Sequence, residues 1–371
     1  MERALLRGAG AARFLRRNWQ KRPLLIRQAI AQFRGILSLR ELFALAVRDD
    51  VESRLIVRER NAWTLAHGPF RRSDLRMLPS RNWTLLVQSV NLHVAAADAL
   101  LRRFSFLPYA RLDDLMVSFA APGGGVGPHF DSYDVFLLQG EGRRRWRLSR
   151  QRDLALKPGL PLKILERFGA EHECVLDAGD MLYLPPHVAH DGVAIDACST
   201  YSIGFRAPSA QELATGFLDW LRDRVALGGR YGDPQLAPTP TPARIPADLQ
   251  RYTVRALSEL GWNERTVARF LGEYLTEPKA SVTFAAPRRP LSLGAFSAAA
   301  TRRGACLDRR TQLLYDARTL FINGIAIEHS ATTRPTLRRL AEMRELPAGT
   351  FDANTTTILY RWYRDGFLRL G

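Results

Sequence analysis

The hydrophobic pattern changes period several times along the chain. Leu115-Met116-Val117-Ser118-Phe119-Ala120 is a short apolar run, which predicts a strand. Tyr133-Asp134-Val135-Phe136-Leu137-Leu138-Gln139 is rich in β-forming residues; Gly140-Glu141-Gly142 predicts a turn after it, and Arg143 to Leu148 a returning strand of the same hairpin. Met181 to Leu184 predicts a buried strand that stops at Pro185-Pro186, because neither proline can donate to a ladder. The period then lengthens. Ser209-Ala210-Gln211-Glu212 is a capping box, and Leu213, Phe217, Leu221 and Val225, four apart with Trp220 widening the face, predict an amphipathic helix. A proline-rich connector, Pro234 to Pro246, leads to a second helical stretch from Ala247 to Leu275. Beyond Pro278, Thr319-Leu320-Phe321-Ile322 and Ile325-Ala326-Ile327-Glu328 flank Asn323-Gly324, the signature of a tight hairpin. Helices are expected from Pro335 to Leu346, and from Thr355 to Asp365 before Gly366.

Composition sets bounds on these elements. A chain of 371 residues exceeds one ordinary core, so two or three domains are expected. No apolar run is long enough to span a bilayer, and no membrane partner is expected. Cys174, Cys198 and Cys306 are widely spaced without a Cys-x-x-Cys, which argues against a disulfide framework or zinc site and for a reducing, cytoplasmic setting. The opening segment Met1 to Asn18 is arginine-rich with Glu2 its single acid and has the look of a mitochondrial presequence, but Trp19 to Arg27 reads as a helix end leading into a strand. Net charge is +17, which by itself suggests nucleic acid. All but four of the 54 basic residues are arginine, however, and they are scattered, a bias that GC-rich coding produces as readily as ribosome association does.

Candidate chemistry lies between the first two predicted strands. The loop Pro122-Gly123-Gly124-Gly125-Val126-Gly127-Pro128 delivers His129-Phe130-Asp131, and its glycines permit a sharp approach. It lacks the Lys-Ser/Thr of a phosphate-binding loop. Residues two apart on a strand point the same way, so His129 and Asp131 can reach one metal together. Two imidazoles and a carboxylate on one face of an octahedral iron(II) leave three positions open, the ligand set of non-haem oxygenases. The second imidazole comes from His187 or His190. Three apart on an extended segment, they face opposite ways, so one of them is expected to point at the metal; spacing does not choose. Strand parity puts Arg144 with Trp146 and Leu148, and Arg143, Arg145 and Arg147 on the other face, so Arg144 is expected inside, where its fork suits a carboxylate. Ser118 and Thr200 are further candidates for polar contacts to the same ligand, and Asp134 for orienting a metal ligand or meeting a substrate cation.

From about Phe104 to Pro208 the chain resembles the JmjC-type 2-oxoglutarate oxygenases, most closely the bacterial ribosomal oxygenases that hydroxylate an arginine of a ribosomal protein. The match is carried by Gly123 to Asp131, Tyr133-Asp134-Val135-Phe136, Gln139 to Arg147, Leu182-Tyr183-Leu184-Pro185-Pro186 and Tyr201 to Pro208. The resemblance implies an α+β fold: a double-stranded β-helix (jelly-roll or cupin) barrel with N-terminal helices over 1–208, a helical dimerisation region over 209–277 and a winged-helix-like domain over 278–371. It selects His190 as the third ligand and places a glycine where this chain has His187. It implies Arg144 as the cosubstrate arginine and a family amide near Thr200, where this chain has a hydroxyl. It also implies iron(II), 2-oxoglutarate and O2, a ribosomal protein substrate, possible ribosome association and a homodimer; direct DNA binding does not follow from a winged helix. Rival readings are a ribosomal histidyl hydroxylase, a cupin-like metal-binding protein without oxygenase activity, or a winged-helix nucleic-acid binder.

Overall fold

The computed structural model describes residues 5, 6, 10–60 and 62–371. Residues 1–4 and 7–9 of the presequence-like opening lie outside the described residues; Ala11–Arg17 is a helix, and the chain then enters strand β1, Leu24–Ile26. The strands that follow are β2 (Ser53–Glu59), β3 (Ala62–His67), β4 (Trp83–Val87), β5 (Leu112–Ala120), β6 (Val135–Gln139), β7 (Arg144–Ser149), β8 (His172–Leu176), β9 (Met181–Leu184), β10 (Ala189–Ala194) and β11 (Cys198–Phe205). They form two antiparallel sheets, one ordered β1-β9-β6-β11-β5-β4-β2-β3 and a smaller one ordered β10-β7-β8.

Both faces of the large sheet are covered, which is why β6 reads as a nearly continuous apolar run. Leu115, Val117, Phe136, Leu138, Tyr201 and Ile203 pack outward with Phe14 and Phe104 of the N-terminal helical layer. The alternate residues Val135, Leu137, Leu182 and Leu184 face Trp146, Leu148 and Leu176 of the small sheet. This is the expected jelly-roll barrel.

The hairpin expected over Tyr133 to Leu148 is not formed. β6 pairs with β9 and β11 in the large sheet, whereas β7 pairs with β8 and β10 in the small one. The glycine turn therefore carries the chain from one sheet to the other. Gly140 sits where a side chain would meet Ser199 Oγ at 2.3 Å, Gly142 has φ +65°, and the Gln139 amide donates to the carbonyls of Glu141 and Gly142. Turn chemistry predicted a reversal; the two apolar faces decided which strands pair.

Beyond the barrel, the Ser209 capping box opens helix Ala210–Arg222, one turn short of the predicted Val225. The second helical stretch is two helices, Ala247–Ser258 and Glu264–Thr276, the latter capped by Asn263. Strands Leu320–Ile322 and Ile325–Ile327 form the predicted hairpin, with Asn323 and Gly324 at φ +48° and +83°. Helix Arg334–Met343 ends earlier than predicted because Arg344 turns left-handed, at φ +60°, and puts Leu346 in a short strand. With Leu293–Arg303 and Ala353–Arg364 it closes a separate core around Phe296, Leu337, Leu359 and Trp362. No described helix is long and apolar enough to cross a membrane.

Candidate metal centre

His129 and His190 meet by main-chain pairing. Each amide donates to the other's carbonyl, at 2.9 and 2.8 Å, in an isolated antiparallel bridge, and the ring centroids lie 4.2 Å apart. Asp131 lies in irregular chain just past that bridge rather than on a strand, yet it converges: its Oδ2 is 3.7 Å from His190 Nε2, and donor atoms of all three residues lie within 4.8 Å of one another.

The tautomers suit a metal. Nδ1 of His129 lies 2.9 Å from the Gly127 carbonyl and Nδ1 of His190 lies 2.9 Å from that of Val188, so each Nδ1 carries the proton and each Nε2 offers a lone pair. Burial, helped by the nearby His129, pushes His190 down to about 4 and keeps it neutral. Two imidazoles and a carboxylate fit iron(II) with positions to spare.

His187 is not in this cluster. The chain is not extended between Pro185 and Ala189: His187 takes φ +64° and donates its amide to the Asp131 carbonyl at 2.8 Å, which leaves its side chain exposed. A left-handed residue is a position that glycine fills without strain.

Arg144 faces inward as parity predicts, 5% exposed, and its cross-strand partner Ala194 is two residues along the same face from Gly192 and four from His190. Its Nε and Nη2 are buried and have no hydrogen-bond partner among the described residues, and Trp146 Nε1 is in the same condition. These unmet groups are all donors. A ligand that only accepts, such as a dicarboxylate, matches them. Across the barrel, Ser118, Thr200 and Gln139 sit opposite one another on β5, β11 and β6, all buried, and Thr200 Oγ1 donates to Gln139 Oε1 at 3.2 Å. Gln139 and Trp146 Nε1 escaped sequence reasoning, although an amide closing the apolar alternation of Val135 and Leu137 was a visible signal.

Asp134 takes neither of its expected roles. It precedes Val135, which faces in, so its carboxylate lies on the outward side, fully buried, where it accepts from Tyr183 Oη at 2.6 Å, Gln20 Nε2 at 3.0 Å and Arg111 Nη2 at 3.3 Å. It ties the N-terminal layer to the barrel.

A jelly-roll barrel holding a His-x-Asp…His cluster beside an unpaired inward arginine defines the JmjC class of metal-dependent oxygenases. The JmjC domain family matches residues 99–213, and the ROXA-like winged helix family matches residues 259–369. The chain is 40% identical to the ribosomal protein uL16 3-hydroxylase of Escherichia coli over 281 residues, 75% of this chain and 74% of that protein. It is 36% identical to a probable ribosomal oxygenase of Haemophilus influenzae over 60% of this chain and 54% of that one. Among solved structures, Escherichia coli YcfD superposes over 98% of both chains with a TM-score of 0.84 and 34% identity. YcfD in complex with cobalt and 2-oxoglutarate gives a TM-score of 0.80 over 96% of both chains. The chain belongs to the ribosomal oxygenases, JmjC-type enzymes that use 2-oxoglutarate.

Proposed function

We propose that this chain hydroxylates an arginine side chain of a large-subunit ribosomal protein, with uL16 the first candidate because the Escherichia coli relative is named for it. The observation that carries the reading is the three-residue donor cluster sharing one barrel interior with a buried arginine that has unmet donors. In this reading Nε2 of His129, a carboxylate oxygen of Asp131 and Nε2 of His190 hold the iron. Arg144 receives the far carboxylate of 2-oxoglutarate, with Ser118 and Thr200 as polar neighbours on the facing sheet. Iron(II), 2-oxoglutarate and O2 together supply an oxidant that replaces an unactivated C–H by C–OH, with succinate and carbon dioxide leaving. The protein's share is to fix the ligands, exclude water and aim one carbon.

An arginine substrate is supported by the open end of the barrel. The inward face of β5 continues from Ser118 through Met116 to Asp114, whose carboxylate is 4% exposed. Tyr133 stands beside Asp131, its phenol pushed up by burial and by the Asp131 charge. Asp114 Oδ2 accepts from Gln88 and Ser89 and lies 3.7 Å from Lys279 Nζ, so in this reading Oδ1 meets the guanidinium, with the Tyr133 ring nearby.

The division at 208/209 and 277/278 belongs to the same proposal, as do cytoplasmic residence and a homodimer formed by the helical region. There Leu218, Val254, Leu257 and Trp262 are each more than half exposed, at 61, 64, 58 and 56%. The test is mass spectrometry of ribosomal protein peptides incubated with enzyme, iron(II) and 2-oxoglutarate. One added oxygen on an arginine, with equivalent succinate, is expected. Oxygen on a histidine, or no turnover with any ribosomal peptide, overturns the arginine assignment.

A further inference from the structure

Many arginines form no ion pair among the described residues, and three of them gather about one groove. Arg40, on helix Leu39–Ala46, and Arg72 and Arg76, on the short helix Arg72–Arg76, surround a groove of about 300 Å³ floored by Phe43, Val47 and Leu75. All three are exposed, and none forms an ion pair among the described residues. The nearest acids in sequence are engaged locally: Glu41 accepts from the amide and hydroxyl of Ser38, and Asp74 from the hydroxyl of Ser73.

The basic surface continues toward the metal centre. The chain runs on from Arg76 to Arg81 and Asn82, whose carbonyl accepts from the Arg58 amide at 2.8 Å and whose own amide donates to Pro122 at the start of the glycine loop. The Arg58 guanidinium lies over the Trp63 ring at 5.3 Å, and that ring packs against Gly127, where a side chain would meet it at 3.2 Å. Arg58 and Arg81 are exposed and likewise form no ion pair among the described residues. Free guanidinium groups thus run from the groove to the loop that delivers His129.

We propose that this track binds single-stranded RNA. Guanidinium forks match phosphate oxygens, while the apolar floor at Phe43 and Val47 gives bases a surface to pack on, which an acidic peptide would not use. A substrate protein presented with its RNA would then lie with the RNA along the track and its reactive residue at the barrel mouth. None of the track's residues belongs to the winged helix, residues 259–369.

The test is fluorescence anisotropy of a labelled single-stranded RNA oligonucleotide with the full chain, without iron or 2-oxoglutarate, so that failure of the hydroxylase reading leaves the result interpretable. The combined variant Arg40→Ala, Arg72→Ala, Arg76→Ala is expected to lose about tenfold or more in affinity and to lower the slope of log affinity against log salt by about 2. Its unfolding midpoint and its turnover of a short peptide should not change. Arg302→Ala with Arg339→Ala, on the winged helix, should bind as the unaltered protein does, and polyglutamate should not displace the RNA. The proposal is overturned by absent RNA binding, by equal binding of the triple variant, by loss confined to the winged-helix variant, or by displacement with polyglutamate at matched charge.

Discussion

His129 and His190, far apart in sequence, are hydrogen-bonded to each other twice through their main chains. The pairing of β10 with β7 runs through His190, whose other edge bridges His129, so ligand spacing is set by backbone geometry before any metal arrives. A site preorganised in this way should survive loss of one ligand side chain without losing the fold.

That separates two histidines three residues apart. His190→Ala is expected to abolish iron binding and turnover while leaving the unfolding free energy within about 1 kcal/mol of its starting value. His187→Gly should keep both activities and stabilise the protein by roughly 1 kcal/mol, because a left-handed non-glycine residue costs about that much. Isothermal titration with a divalent metal and urea denaturation measure the two effects. Loss of metal from the His187 variant alone would reverse the assignment.

The ease of reading differed from element to element for physical reasons. Arg144 was legible because strand alternation has a period of two and its companions Trp146 and Leu148 are apolar. The Asn323-Gly324 hairpin was legible because its chemistry is local. The change of sheets at Gly140 was not, since pairing depends on which distant strands share an apolar face. At His187 the premise of parity, an extended chain, does not apply, since the residue takes φ +64°.

The glycine loop should be intolerant of a single methyl group. A Cβ on Gly125 would lie 2.5 Å from the Gly192 carbonyl oxygen, and backbone on β10 cannot step aside without shifting His190. Gly125→Ala is therefore expected to cost about 1–3 kcal/mol and to weaken metal binding at the same time. Gly10→Ala, where a Cβ would meet no atom of the described residues within 4 Å, is the control and should change neither.

Acid should loosen the attachment of β1 to the barrel. Burial pushes the Asp180 carboxyl up, but the Gln28 amide at 2.8 Å, the Arg27 guanidinium at 2.6 Å and the Asp177 amide at 3.1 Å together hold it below its ordinary value. A carboxylate depressed in the folded state stabilises fully above the unfolded range near pH 4 and loses that stabilisation as pH falls toward its folded value. Asp180→Asn should cost about 1–3 kcal/mol at pH 7 and flatten stability between about pH 5 and pH 3. Thermal melts across that range check the slope; an unchanged slope would place the acid sensitivity elsewhere.

Arg144 carries the opposite expectation for stability. A buried guanidinium with two nitrogens that no described protein group meets adds little to the stability of the fold, since protein hydrogen bonds do not repay its desolvation. Arg144→Met keeps the length and removes the charge, so the ligand-free protein should be as stable as before or more so. Iron should still bind, because His129, Asp131 and His190 are untouched. The KM for 2-oxoglutarate should rise by about 100-fold or more, as one charge-assisted bidentate contact is worth roughly 3 kcal/mol. The thermal shift given by 2-oxoglutarate should shrink in step, because a ligand stabilises only through its affinity for the folded state. Unchanged 2-oxoglutarate affinity in this variant would mean that the dicarboxylate is held by other donors.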